Sequence, residues 1–210
     1  MILSLVARGT VALAQVSETQ HAFEWAYPLA PKLDLIVHSR LRTQPSGLGL
    51  YQGRMGPIFD YNFTPRLSLL GGYYFTLQTD EERDVRGRHR FFGGVEVTAI
   101  REGRHTLDVR TLTERFTGAG TDFTRNRNRA RWTYRAKVSP YLSGELFLDA
   151  KGWRSTRFSG GVRYKVARFA DLDLGYFYEP RRADLGPHRH MFLTSIHFRK
   201  IPGKRADPDI

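Results

Sequence analysis

Apolar and polar residues alternate with a period of two along nearly the whole chain, which restricts it to strands with two unlike faces. From Lys32 to Arg42, Leu33, Leu35, Val37 and Leu41 point one way and Asp34, His38, Arg40 and Arg42 the other. From Arg66, Leu67, Leu69, Tyr73, Phe75 and Leu77 oppose Ser68, Gly72 and Thr76; from Arg88, Phe91, Val95 and Val97 oppose Arg90 and Glu96. Leu107 and Val109 stand against Asp108, Arg110 and Glu114, and Ala130, Trp132, Tyr134, Ala136 and Val138 against Arg129, Arg131, Arg135 and Lys137. The pattern repeats around Glu145, Arg163, Asp173 and His197, and less regularly over 51–63, where Gly56-Pro57 interrupts it. These segments make about ten strands, with 22–29 as an eleventh candidate and twelve as the alternative count. No significant helix is expected.

The connections alternate as well. Short turns are expected at 63–66, 100–104, 139–141 and 168–171, and longer polar or Gly/Pro-rich loops near 43–50, 79–87, 117–125, 151–156 and 180–188. Short and long connections in alternation mean up-and-down hairpins with the short turns at one end. The fold class is therefore all-β, an up-and-down antiparallel barrel. With 210 residues the chain forms a single barrel domain, 15–199, followed by a polar tail, 200–210.

Periodicity alone leaves the inside face open. A soluble ligand-binding barrel turns its apolar set inward, whereas a transmembrane barrel turns it outward. No apolar run is long enough for a transmembrane helix, but spanning strands need only about 9–11 residues. Three features favour the membrane. Residues 1–14 read as an atypical or truncated signal peptide ending in Ala12-Leu13-Ala14. Aromatics gather toward the ends of the apolar faces, at Tyr73 and Phe75, Trp132 and Tyr134, and Tyr176 and Tyr178, as interfacial girdles do. Acids are interspersed with arginines on the polar faces, as an enclosed lumen requires.

With 33 basic against 21 acidic residues, the formal net charge is +12. A nucleic-acid partner is not expected, because the arginines spread along the chain and the densest run, Arg125 to Arg131, puts every arginine on one strand face. The absence of cysteine excludes disulfide scaffolds and thiol chemistry.

The order of several short pieces resembles the bacterial outer-membrane barrel family called domain of unknown function 2490. The pieces are Trp25, an arginine at 40 or 42, Gly71-Gly72-Tyr73, His89-Arg90, Thr113-Glu114-Arg115-Phe116, the run from Asn126 to Arg131, Gly144-Glu145-Leu146-Phe147, Arg157 and Gly175-Tyr176. The resemblance spans roughly 22–199 and implies the barrel and the cell outer membrane, but no activity.

The candidate site is a lumen charge network of Arg40, Arg90, Glu96, Glu114, Arg129, Arg131, Glu145 and Arg163, with Glu114 and Glu145 as hubs. A carboxylate accepts bidentate arginine, and a narrow lumen must pair the charges it buries. His188 and His190 share a strand face but lack a third ligand in sequence. Ser195 and His197 are two residues apart on one strand, roughly 6–7 Å, which is beyond hydrogen-bond reach. The Gly71-Gly72, Gly93-Gly94 and Gly160-Gly161 pairs lie mid-strand with no helix after them, so they are not phosphate loops. They are read as room for bulky lumen arginines or as bends. No metal site and no cofactor is expected. The partners expected are the outer-membrane bilayer and the barrel-assembly machinery of a Gram-negative cell. The function expected is structural or surface-interaction, with a small channel, a lipid-modifying enzyme or a soluble periplasmic binding barrel as alternatives.

Overall fold

A computed structural model describes residues 17–44, 49–79, 83–118 and 122–199. The leader expected at 1–14 and the tail at 200–210 lie outside the described residues. The chain forms a closed barrel of eleven strands. They are β1 (Ser17–Ala30), β2 (Leu33–Gln44), β3 (Gly49–Thr64), β4 (Leu67–Thr79), β5 (Val85–Glu102), β6 (His105–Gly118), β7 (Phe123–Tyr134), β8 (Val138–Asp149), β9 (Gly152–Ala167), β10 (Ala170–Glu179) and β11 (Arg189–Arg199). Each strand runs antiparallel to the next in sequence, and the barrel closes where β1 pairs with β11 in parallel, from Ser17 opposite His190 to Ala26 opposite Arg199. An odd number of up-and-down strands brings the first and last together in the same direction, so the parallel seam follows from the count. Side chains tie both faces of that seam. Arg189 reaches Glu18 at 3.2 Å and His197 reaches Glu24 at 2.7 Å on one face, and Phe23 packs on Phe198 at 5.3 Å on the other.

The count falls between the two even numbers the sequence suggested, because 22–29 is part of a full wall strand. The five residues from Ser17 to His21 are polar on both faces and carry no alternation of their own. Their conformation comes from pairing with β2 and β11.

Two connections also differ from the sequence reading. The turn expected at 139–141 falls at 135–137, and Val138–Tyr141 belongs to β8. There the Ser139 hydroxyl accepts from the Ala136 N–H at 3.0 Å and donates to the Ala136 carbonyl at 2.7 Å, closing the turn from its far side. Pro140 stands past the last β7–β8 pair, Thr133 with Tyr141, so its missing N–H breaks no ladder bond there. The loop expected near 151–156 is a tight turn at Ala150-Lys151. Asp149 caps it by accepting from the Lys151 N–H at 2.9 Å, and Gly152 follows at φ +90°, a conformation that favours glycine.

The interior is charged and aromatic, and the exterior is apolar. Glu114, Glu145, Arg42 and Arg90 are buried inside beside Tyr74, Phe116, Phe147, Phe177 and Met191. Outside, Phe23, Trp25, Leu41, Phe59, Leu69, Phe91, Val109, Leu142 and Phe158 are exposed. The inner glycine of each doublet makes room for an aromatic ring or for a close backbone, not for arginine. A Cβ on Gly72 would collide with the Phe92 ring, one on Gly161 with the Tyr141 hydroxyl, and one on Gly94 with the Thr111 carbonyl. One polar strip interrupts the exterior: Thr111 donates to Asn128 at 2.6 Å and Thr113 to Asn126 at 3.0 Å across β6 and β7.

Candidate functional site

Six consecutive strands each contribute one charged side chain to a row across the lumen, and the signs alternate. The row runs Arg90 on β5, Glu114 on β6, Arg127 on β7, Glu145 on β8, Arg157 on β9 and Glu179 on β10. Glu114, 0 % exposed, accepts from Arg90 on one oxygen and from the Arg125 Nε at 2.6 Å on the other, with Arg127 at 3.7 Å. Glu145 accepts from Arg127 through both oxygens, the longer bond at 3.1 Å, and from Arg157 at 3.5 Å, with Arg110 at 3.8 Å. Arg157 then forks onto Glu179, its Nε at 2.9 Å. Several neighbours in the row sit diagonally in register: Arg90 lies opposite Phe116, and Glu114 opposite Phe92. Such diagonals are within reach only of long side chains, which is why arginine and glutamate fill the row.

Aromatic rings stack against the same guanidiniums. Arg157 lies 4.2 Å from the Phe177 ring centre and 5.1 Å from that of Phe147, and Arg125 lies 4.9 Å from Phe116 and 4.8 Å from Phe147. Charge pairing and ring faces together fill the lumen at mid-height.

The expected network residues fall into three groups. Arg90, Glu114 and Glu145 stand in the row. Toward the short turns, Glu96 accepts from Arg129 at 2.8 Å, while Asp173 accepts from Arg163 at 3.0 Å with Arg131 at 3.6 Å. Arg40 stands apart: it donates to Gln52 at 2.7 Å and has no carboxylate within 4 Å among the described residues. Its neighbours behave likewise, with Arg42 donating to Gln20 at 3.0 Å and the Arg54 guanidinium 4.1 Å from the Tyr74 ring centre. The network expected from the sequence did not include Arg127, Arg157, Glu179, Asp173 or the lumen aromatics, although every one lies at an inward register position.

On the exterior, Tyr73 bonds His89 at 2.7 Å beside Phe75, and Tyr176 and Tyr178 pack with His190, all toward the loop end. Trp132 and Tyr134 pack with His105 toward the turn end. His188 sits in the 180–188 loop, its Nδ1 accepting from the Arg181 N–H at 3.2 Å. No group of three or more potential metal ligands occurs among the described residues. His197 faces the lumen and is taken by Glu24.

One cavity lies in the lumen on the turn side of the row, and a second lies at the loop end beside β6–β9, lined by inward residues such as Arg88 and Arg125 and by outward ones such as Arg115 and Asn126. The one at the turn end has a volume of about 720 Å³, and the one at the loop end about 830 Å³. The loop-end cavity is bounded by a clamp in which Arg182 donates to both oxygens of Asp149, at 3.0 Å each, and to Asp184 at 2.7 and 3.2 Å. The Arg182 guanidinium holds the Asp184 carboxyl below its ordinary range.

A model of the family described as Protein of unknown function (DUF2490) matches residues 21–184, from β1 into the loop before β11. The chain belongs to this family. The family's description names no activity, and no curated protein matches the chain.

Proposed function

We propose that the chain is an outer-membrane barrel of a Gram-negative cell, embedded by its apolar wall and closed at mid-lumen by the arginine–glutamate row. It acts as a structural or surface-interaction protein rather than as an open pore or an enzyme. The observation that carries this reading is the inverted distribution: the largest buried side chains include Glu114, while Trp25, Met55, Phe63, Leu142 and Phe158 are exposed. In water such an exterior far exceeds the apolar patch a monomer tolerates, whereas lipid requires it. The aromatic and histidine clusters toward both barrel ends suit two membrane–water interfaces. The signal peptide expected at 1–14, the bilayer and the barrel-assembly machinery belong with this reading as export route and partners.

A closed lumen conducts no ions. The full chain reconstituted into planar bilayers at neutral pH is expected to show no steady openings. Steady anion-preferring channels would contradict the closure.

A further inference from the structure

At one end of the barrel, all five turns carry a cation: Lys32, Arg66, Arg104, Arg135 with Lys137, and Arg168. None of these turns contains an acid, whereas the described connecting segments at the opposite end mix Asp84, Asp122 and Asp184 with Arg83, Lys151, Arg181 and Arg182. The cavity of about 720 Å³ lies at this basic end, within the usual size of small-molecule sites. Its wall includes Arg110, Arg129, Arg131, Arg163, Lys165 and Arg168.

The carboxylates there do not match the cations. Glu96 serves both Arg129, at 2.8 Å, and Arg110, at 3.9 Å; Asp173 serves both Arg163, at 3.0 Å, and Arg131, at 3.6 Å. Asp108 is engaged by Thr98 at 2.8 Å, Asp171 by Arg199, and Glu24 by His197, which leaves Asp60 on the β3 wall. Lys165 and Arg168 have no ionic partner, and the buried Nε atoms of Arg110, Arg129 and Arg163 have no acceptor, among the described residues.

We propose that this cavity is a binding site for a phosphate-bearing anion that enters from the turn end. Guanidiniums with spare donors match phosphate oxygens bidentately, and the basic rim draws an anion toward the opening. The geometry needs only the barrel, so the site stands whichever medium surrounds the wall. The phosphate can come from a soluble anion or from a lipid head group.

Two titrations separate these sources. Pyrophosphate is titrated calorimetrically into the detergent-solubilised full chain at low salt, and phosphatidylglycerol retention is measured against phosphatidylcholine in mixed nanodiscs. Saturable one-site binding of pyrophosphate, weakened about tenfold in the Lys165→Gln/Arg168→Gln variant and unchanged in Lys151→Gln at the loop end, supports the site with a free anion as ligand. Preferential phosphatidylglycerol retention, lost in the same double variant, supports it with a head group. Arg135→Gln, which removes only a bond to the Gly103 carbonyl at 2.9 Å, serves as a second rim variant if the double variant does not fold. Binding of neither ligand, or equal weakening by Lys151→Gln, overturns the proposal.

Discussion

Glu114→Ala is expected to destabilise the barrel by about 3–5 kcal/mol, a large share of the stability of a folded domain. Arg90 and Arg125 have no other carboxylate within 4 Å among the described residues, and Arg127 would lose one of two. The variant leaves two arginines inside the lumen without a counter-charge. Glu145→Ala is expected to cost less, toward about 3 kcal/mol, because Arg127 keeps Glu114 and Arg157 keeps Glu179. Urea titration followed by heat-modifiable gel mobility ranks the two. Wild-type midpoints for both variants would mean that the row carries no stability, since exposed pairs contribute only about 0–1 kcal/mol.

Val109→Arg is expected to cost about 2–4 kcal/mol through contact with lipid. Val109 sits near the middle of β6, between Val97 and Ala130, and is 42 % exposed on the outer face. Periodicity alone permits a barrel with an apolar interior, in which the same substitution would disrupt the core. With Glu114 inside and Val109 outside, that reading is gone, and the variant now discriminates between media. An arginine on an exterior washed by water would be nearly silent; the same arginine in a bilayer would lower the yield of folded protein on reconstitution. Measured refolding into lipid at the wild-type yield and stability would contradict the membrane reading.

Much of this architecture is legible in the sequence because a buried face and an exposed face impose opposite chemistry on alternate residues. Glu96, Glu114, Glu145 and the arginines from Arg125 to Arg131 all fall at positions whose direction the alternation fixes. Five features were out of reach for physical reasons. Ser17–His21 is polar on both faces, and its strand depends on partners at the seam, far away in sequence. Pro140 signals a turn by its missing N–H, yet the end of the β7–β8 ladder makes that loss harmless. The rings of Tyr74, Phe92, Phe116, Phe147 and Phe177 occupy register positions that polarity alone assigns to charged groups, because a lumen needs volume as well as counter-charge. The pairing of Arg127 with two glutamates depends on diagonal register between strands, which no single strand reveals. The Thr111–Asn128 and Thr113–Asn126 ladder likewise breaks the apolar rule for the outer face of β7.

Fractionation of cells that express the full chain tests the central claim, the proposed place of the apolar wall in a lipid bilayer, most directly. The account predicts recovery in the outer-membrane fraction, release only by detergent, and a shift in gel mobility on heating. Recovery of folded protein in the periplasmic or cytosolic fraction without detergent would contradict it.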